Sequence, residues 1–140
     1  MTKILAIGAS SSTTSINRAL ATHAAERLRD VYLPGADVEV LDLNDFDLPV
    51  FRTEIEKNDE HLAVARRFLD ALGSADALVI SYAEHNGHYT AAFKNITDWA
   101  SRLEREIFQN KPTLLLSTSP GGRGGASVLA AALKLSLIHI

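Results

Sequence analysis

The chain has 140 residues, no cysteine and a formal net charge of −3 at pH 7, and 46% of its residues are hydrophobic. These values predict one soluble globular domain spanning residues 1–140, and they argue against nucleic acid or an acidic membrane surface as a partner. The lack of cysteine excludes disulfides, thiolate catalysis and cysteine-bound metals. The first apolar run is shorter than a signal-peptide core, and no run reaches the length of a membrane span, so we expect a cytoplasmic protein.

Short apolar runs alternate with segments of helical periodicity along the whole chain. Apolar runs predict strands at residues 3–7, 38–43, 77–82 and 112–117. Apolar residues at helical spacing predict helices over residues 16–31, 62–72 and 93–103, and from 128 to about 135. Gly73 is expected to lie just after the second helix as its C-terminal cap.

This alternation, with continuously apolar strands, predicts an α/β fold with a parallel sheet covered on both faces. In such sheets, ligands bind beyond the carboxyl ends of the strands. The three most unusual stretches of the chain follow predicted strands at that end, at residues 9–15, 83–89 and 117–124. We therefore expect these three loops to line one crevice.

The first loop is rich in hydroxyl groups and contains no lysine. Ser10, Ser12 and Ser15 precede the first helix, and Asn17 lies in its first turn. A helix N-terminus has unpaired N–H donors and partial positive charge, so this loop is able to bind a phosphate. The alternative is that Ser15 is only an N-cap and that the other hydroxyls are solvated. The loop matches neither the P-loop nor the dinucleotide-binding pattern.

The second loop contains His85, the turn signal Asn86-Gly87 and His88. It presents either backbone N–H groups beside an imidazole or a simple turn with two surface histidines. Because no third ligand lies nearby and Glu84 is expected in solvent, we do not predict a metal site.

The third loop has four glycines within residues 121–125. Because glycine permits close approach of the backbone to a ligand, one interpretation is a ligand-binding loop. The alternative is a flexible surface loop. Its position directly after a buried strand favours ligand binding.

Taken together, the three loops resemble the motifs of the NADPH-dependent FMN reductase family of flavodoxin-like proteins. The family's first motif is approximately G-S-x-R-x-x-S-x-N-x-x-L-A, and this chain matches it at Ser10, Ser15, Asn17, Leu20 and Ala21. The second resembles P-E-Y-N-G-S-Y-P-x-x-x-K-N-x-x-D-W and is matched at Glu84, Asn86, Gly87, Tyr89, Lys94, Asn95, Asp98 and Trp99. The third, S-x-S-P-G-G-x-G-G, is present over residues 117–125. The chain departs from these patterns at Ala9, Ser12, Ala83 and His85, where the family commonly has glycine, arginine, proline and tyrosine.

The resemblance implies a flavodoxin-like three-layer α/β/α sandwich with strand order 2-1-3-4 and no fifth strand. It implies non-covalent FMN, with NADPH as the hydride donor. The phosphate would be held by Ser10, Ser12, Ser15, Ile16 and Asn17. The isoalloxazine ring would lie along Ala83, Glu84, His85, Asn86 and Gly87. The other edge of the flavin would be bordered by Thr118, Ser119, Pro120, Gly121 and Gly122. No catalytic side chain is assigned, because the cofactor itself carries hydride transfer.

The function implied is an NAD(P)H-dependent FMN reductase or quinone reductase that passes electrons to a flavin, quinone or similar small acceptor. The alternatives are a flavodoxin-type electron carrier and a flavodoxin-like module that binds no flavin. Relatives pair beside the flavin, and the apolar segment 48–51 (LPVF) lies in the corresponding region. We therefore expect a homodimer or homotetramer, the alternative being that Val50 and Phe51 fold back onto their own core.

The sequence also predicts a truncated or aberrant C-terminus. After the last helix only residues 136–140 (SLIHI) remain, which are too few for both a loop and a fifth strand. The fourth strand would then form an edge with under-covered apolar faces, so we expect weak stability and aggregation. A cooperative thermal transition above about 60 °C would contradict this expectation.

Overall fold

The structure is a computed structural model that describes residues 1–138. Its strands and longer helices, in chain order, are β1 (Lys3–Ala9), α1 (Ile16–Tyr32), β2 (Asp37–Leu41), α2 (Asp59–Ser74), β3 (Ala77–Tyr82), α3 (Ala91–Ala100), β4 (Thr113–Ser117) and α4 (Ala126–Ile138). Two single turns of 3₁₀-helix, Leu43–Asp45 and Thr53–Ile55, lie between β2 and α2. Within the described range, no helix is both long enough and apolar enough to cross a membrane.

The sheet is parallel throughout and has the strand order β2-β1-β3-β4, as predicted. Its register pairs Ala9 with Tyr82 and Tyr82 with Ser117. These three residues are the last of β1, β3 and β4, so all three strands end in one row. The loops that follow them therefore leave the sheet side by side, which is the arrangement expected of a flavodoxin-like α/β fold.

Apolar side chains cover both faces of the sheet. On one face, Ile4, Ala6 and Val79 pack against Ala21 and Ala25 of α1. The opposite face carries a larger core, formed by buried side chains of β1, β3, α2, α3 and α4 that include Leu5, Ile7, Ile80, Phe68, Phe93, Ile96 and Val128. Two helical layers thus enclose the sheet, because strands buried on both faces need apolar cover on each side.

Gly8 allows α1 to lie close to β1. A Cβ atom at this position would lie 2.5 Å from the Cα and the backbone nitrogen of Arg18, a distance that side chains do not tolerate. Because both contacts are with backbone atoms, a side chain at residue 8 would displace the start of α1. The residue type at this position therefore fixes where the first turn of α1 lies relative to the sheet.

The prediction for Gly73 was wrong. The helix α2 continues through it to Ser74, and Gly73 does not have the positive φ of a C-terminal cap. Its lack of a side chain instead makes room for Gln109, because a Cβ atom would lie 2.8 Å from Gln109 Oε1. Gln109 Nε2 donates to Leu69 O at 2.9 Å, so this glycine serves a contact between segments distant in sequence.

The last helix runs further than predicted, since α4 includes residues 136–138. Residues 139 and 140, the rest of the predicted tail, lie outside the described residues. Within residues 1–138, β4 has a neighbouring strand on one side only, and Leu114 on this strand is 47% exposed. An edge strand with an exposed apolar side chain is prone to pair with another chain.

We predict that Leu114→Lys reduces aggregation without destabilising the fold. A charged side chain on an edge strand disfavours pairing between chains, whereas substitutions at exposed sites usually change stability by within about ±0.5 kcal/mol. Light scattering during incubation at a fixed temperature measures aggregation, and circular dichroism gives the unfolding midpoint. Ala63→Lys, at an exposed position of α2, is the matched control because it adds the same charge. Equal aggregation of the two variants would show that the edge of β4 is not the cause.

Candidate functional site

An open pocket of about 270 Å³ lies at the row of strand ends. The predicted residues in its wall are Ser10, Ser12, Ser15, Ile16, Asn17, Ala83, Glu84, His85, Thr118, Ser119 and Pro120. Thr14 also lines it, although the sequence analysis did not select that residue. Four predicted residues, Asn86, Gly87, Gly121 and Gly122, do not line it and are exposed. The structure thus brings residues of all three predicted loops together around one pocket.

The first turn of α1 presents unpaired N–H donors at this pocket. Ser15 is the N-cap of the helix, and its Oγ accepts a hydrogen bond from Arg18 N at 3.1 Å. Within residues 1–138 the N–H groups of Ile16 and Asn17 have no protein acceptor. The first turn also contains no acidic residue. Free donors and the positive end of the helix dipole together make this turn suited to an anion.

Hydroxyl groups of the first loop add further donors. Ser10 Oγ accepts from Ser12 N at 3.1 Å, as Ser15 Oγ accepts from Arg18 N. Because each of these oxygens acts as the acceptor, its hydrogen can be donated to a ligand. Ser12 Oγ accepts from Thr14 N at 3.3 Å and lies 3.4 Å from Thr14 Oγ1. These internal hydrogen bonds order the loop without lysine.

Arg18 fastens the first loop to the end of β2. Its Nη1 donates to Asp42 Oδ2 at 3.2 Å, and its Nη2 donates to Thr13 O at 3.0 Å. The pKa of Asp42 lies below its usual value, chiefly because Asn44 N donates to the carboxylate, with a smaller contribution from the positive charge of Arg18. The side chain of Asn44 in turn donates to Ser11 O at 3.0 Å. Sequence reasoning missed these anchoring residues, and no local pattern pointed to them.

Asn17 lies in the pocket wall, but its side chain binds other parts of the protein. The residue is 2% exposed. Its Oδ1 accepts from Ser81 Oγ at 2.7 Å and from Thr118 N at 3.1 Å, and its Nδ2 donates to Thr118 O at 3.1 Å. The amide oxygen is therefore fully used, whereas the backbone N–H and one of the two Nδ2 hydrogens of Asn17 have no acceptor in the described part of the protein.

The second loop is a tight hairpin turn, as the Asn-Gly signal predicted. His85 and His88 exchange backbone hydrogen bonds of 3.0 and 3.1 Å, and Asn86 and Gly87 have φ values of 53° and 79°. Two positive φ values in succession define a type I′ turn. Tyr89 N donates to His88 Nδ1 at 2.9 Å, a further hydrogen bond at the end of this turn.

Glu84 is not a solvated carboxylate, and that expectation was wrong. Its Oε1 accepts a hydrogen bond of 2.8 Å from Val128 N, in the first turn of α4. A carboxylate at this end of a helix satisfies an N–H that has no acceptor within the helix and interacts favourably with the helix dipole. Glu84 thus links the second loop to the helix that follows the third.

Thr90 is a further residue that the sequence analysis did not select. Its side chain is buried, and its Oγ1 donates to Ala9 O at 2.8 Å while accepting from Phe93 N at 3.3 Å. One hydroxyl therefore caps α3 and ties that cap to the last residue of β1. This contact fixes the end of the second loop relative to the start of the first.

Two tyrosines lie beneath the second loop. Tyr82 is fully buried, its hydroxyl has no partner within the described range, and burial strongly raises its pKa. Tyr89 stacks on Tyr82 with ring centroids 5.4 Å apart, and its partial burial raises its pKa to about 12. Both phenols are therefore neutral at physiological pH, and both rings pack edge-on against Phe93 in the core.

The glycines of the third loop serve two different purposes. Gly124 and Gly125 have φ values of 60° and 78°, a conformation that favours glycine, and a Cβ on Gly125 would lie 3.0 Å from Ser117 Cβ. Around Gly122 there is open space instead, and Gly121 has only Ser119 Oγ nearby, 3.9 Å from where a Cβ would lie. The end of the loop therefore requires glycine for its backbone, whereas its middle is open to solvent.

The matched residues Asn95 and Trp99 hold the segment 48–51. Asn95 Nδ2 donates to Leu48 O at 3.2 Å and to Pro49 O at 3.0 Å, and its Oδ1 accepts from Phe51 N at 2.8 Å. Trp99 Nε1 donates to Pro49 O at 2.8 Å, and its ring packs edge-on against Phe51. Phe51 thus folds back onto the protein, while Val50 is 82% exposed.

The pocket wall contains one carboxylate and one imidazole, those of Glu84 and His85. Across the part of the chain that the structure describes, no group of three or more such side chains is placed to hold a metal ion.

Residues 2–139 match the family described as NADPH-dependent FMN reductase. The chain belongs to this family. Among curated proteins, the chain is 31% identical to an NADPH:quinone oxidoreductase of Arabidopsis thaliana over 125 residues. These residues are 89% of this chain and 62% of that protein. The chain is also 31% identical to an NAD(P)H-dependent FMN reductase of Pseudomonas aeruginosa, covering 89% of this chain and 63% of the relative. The chain therefore spans less than two thirds of the length of these relatives.

Solved structures show the same fold. The flavoenzyme NAD(P)H:(acceptor) oxidoreductase FerB from Paracoccus denitrificans superposes with a TM-score of 0.73 at 23% identity, covering 99% of this chain and 72% of that one. An azoreductase from Bacillus anthracis gives a TM-score of 0.75 at 17% identity, covering 99% and 82%. At this level of identity the likeness supports the flavodoxin-like fold that the sequence predicted.

Proposed function

We propose that the chain, residues 1–140, belongs to one FMN-binding domain of an NAD(P)H-dependent reductase. The observation that carries this proposal is the first turn of α1, where unpaired N–H donors and serine hydroxyls face a pocket at the ends of β1, β3 and β4. Membership of the FMN reductase family supports the choice of FMN as the anion-bearing ligand. A cytoplasmic location remains a prediction from the sequence.

The residues of the pocket fit a phosphate-bearing ligand. The N–H groups of Ile16 and Asn17 and the hydroxyls of Ser10, Ser12 and Ser15 are donors, and donors are what a phosphate requires. The volume of about 270 Å³ is at the low end of small-molecule sites. We therefore propose that the pocket holds the phosphate end of FMN and that the ring lies towards the open edge.

The other predicted residues would border the ring. Ala83, Glu84 and His85 supply the wall on the side of the second loop, and Asn86 and Gly87 form its exposed turn. On the side of the third loop, the proposal assigns Thr118, Ser119, Pro120, Gly121 and Gly122. Pro120 has no N–H, and the N–H groups of His85 and Thr118 already donate to protein acceptors. The backbone N–H groups of the other residues are suited to stabilise negative charge on a reduced ring. A bound FMN would itself supply the redox chemistry, the transfer of hydride from NAD(P)H to a flavin, quinone or similar acceptor.

We predict that the protein, purified or reconstituted with FMN, is yellow and is bleached by NADPH faster than by NADH. The preference for NADPH follows from Arg123, an exposed cation beside the pocket that can attract a 2′-phosphate. Stopped-flow absorbance near the flavin maximum measures both rates. Arg123→Gln is expected to reduce the difference between the bleaching rates with NADPH and with NADH.

Three outcomes would contradict parts of this proposal. A folded protein that binds no FMN would favour a module without flavin. A protein that binds FMN but does not oxidise NADPH in the steady state would favour an electron carrier. Equal rates with NADPH and NADH would overturn only the assigned preference.

We predict that Ser15→Gly weakens FMN binding by about 1.5–3 kcal/mol, the usual contribution of one hydrogen bond to a charged group. Glycine is itself a good N-cap, so the helix loses only a few tenths of a kcal/mol. Riboflavin lacks the phosphate, and its affinity is expected to stay unchanged. Fluorescence titration with each flavin measures the two constants.

Asn58→Gly provides the matched control for Ser15→Gly. Asn58 is the N-cap of α2, where its side chain accepts from His61 N at 3.1 Å, and it does not line the pocket. The Asn58→Gly variant should bind FMN and riboflavin with the affinities of the parent protein. Equal losses of FMN and riboflavin affinity with Ser15→Gly would show that this hydroxyl does not bind the phosphate.

We further propose that the protein assembles as a homodimer or homotetramer through the segment 48–51. Val50 is almost fully exposed on a segment that Asn95 and Trp99 hold in place, so an apolar contact is presented without the cost of ordering a loop. The quinone and FMN reductases among the relatives support small-molecule acceptors as its other partners.

We predict that Val50→Asp converts the oligomer to a monomer at micromolar concentration. A carboxylate in an apolar interface is costly to desolvate. Light scattering coupled to size exclusion gives the mass. Val31→Asp, at an exposed position of α1, introduces the same change elsewhere and should leave the mass unaltered. A monomeric parent protein would contradict the proposal directly.

A further inference from the structure

The glycine-rich loop is held at both ends by side chains from the first helix and from the second loop. We use this name for residues 118–125. At its start, Thr118 N and Thr118 O both bond to the side chain of Asn17, at 3.1 Å each. Just after its end, Val128 N donates to Glu84 Oε1 at 2.8 Å. The two holding residues belong to the first helix and to the second loop, so three separate segments meet here.

Asn17 makes a two-point contact of the kind that pairs two strands. Its Oδ1 accepts from the backbone N–H of Thr118 while its Nδ2 donates to the carbonyl of the same residue. A third bond, from Ser81 Oγ to Asn17 Oδ1 at 2.7 Å, is buried and fixes the orientation of the amide. A side chain with its oxygen fully used and only 2% exposure is placed to position the loop.

Between the two held ends, the loop has few contacts of its own. Gly121, Gly122 and Arg123 are exposed. Ser117 Oγ donates to Gly124 O at 3.0 Å, and Arg123 Nη2 donates to Ser127 Oγ at 2.8 Å, so both of these bonds are local in sequence. A glycine-rich segment loses much conformational entropy on ordering. Its place beside the pocket therefore depends on the bonds at its two ends.

We propose that Asn17 and Glu84 are positioning residues that hold the glycine-rich loop against the pocket. The proposal assigns the Asn17 side chain to the loop and the Asn17 backbone N–H to a bound phosphate. This inference rests on the proposed function for its ligand. Asn17 and Ser15 therefore differ in their effect on binding. Loss of the Asn17 side chain weakens the binding of every ligand that touches the glycine-rich loop. Loss of the Ser15 hydroxyl weakens the binding of ligands that carry phosphate and of no others.

The test compares titrations with FMN and with riboflavin. Asn17→Ala and Glu84→Ala should each raise both dissociation constants by about five- to tenfold, the effect of losing about one net hydrogen bond. The ratio of the two constants should stay within about twofold of the parent, whereas Ser15→Gly should change that ratio. Glu84→Gln keeps the acceptor oxygen and should restore both constants to near those of the parent.

Hydrogen exchange on the flavin-free protein provides a second readout. Asn17→Ala should accelerate exchange of the Thr118 amide, and Glu84→Ala should accelerate that of the Val128 amide, each by about tenfold or more as the protecting bond is lost. The amides of β1 should keep their protection. If Asn17→Ala does not fold, the Glu84 pair of variants decides the question by the same two measurements.

Distinct results would overturn each proposal. A loss confined to FMN in Asn17→Ala would show that its side chain binds phosphate, and unchanged exchange at Thr118 and Val128 would show that the bonds do not hold the loop. Either result rejects the positioning role. A parent protein that binds neither flavin rejects the proposed function, and hydrogen exchange still tests the positioning role on its own.

Discussion

The site depends on the register of three parallel strands. Ala9, Tyr82 and Ser117 stand in one row, and each is the last residue of its strand. The three following loops therefore start at the same level, within reach of one ligand. A shift of one residue in this register would move one loop away from the pocket and would also turn each side chain of that strand to the opposite face of the sheet. The apolar core on both faces of the sheet is what holds this register, so packing far from the pocket determines its geometry.

Given that register, the position of one helix is the basis of the proposed anion binding without lysine. Gly8 permits α1 to start against the backbone of β1, and Arg18 ties the preceding loop to Asp42. The first turn of α1 is thereby fixed with its N–H groups towards the pocket. Fixed backbone dipoles need no reorganisation when a ligand binds. The charge of an arginine, common in the family at the position of Ser12, is here replaced by hydroxyls and helix donors.

The family motifs combine residues of different physical roles. Ser15 and the backbone of Ile16 face the pocket, whereas Asn95 and Trp99 lie away from it and hold the segment 48–51 by their hydrogen bonds to Leu48 and Pro49. Asn17 and Glu84 both line the pocket. At the same time, Asn17 binds the backbone of the third loop and Glu84 binds the backbone of α4. A matched motif therefore does not by itself say which of its side chains meets the ligand. The partners of each side chain in the fold make that distinction.

The sequence by itself determined the order of strands and helices, the strand order of the sheet, the Asn-Gly turn and most residues of the pocket wall. The element order and the turn follow from local patterns, namely apolar periodicity, turn chemistry and the position of loops after buried strands. The strand order and the residues of the pocket wall follow from the resemblance of the three loops to the family motifs. Only the tertiary structure decided what Asn17, Glu84 and Gly73 do. Asn17 bonds to a residue 101 positions away and Glu84 to one 44 positions away, and Gly73 makes room for the side chain of Gln109. An amide, a carboxylate or a glycine near a loop has the same local signature whether it serves a ligand, a cap or a distant segment, because that choice is made by the partner that folding brings beside it.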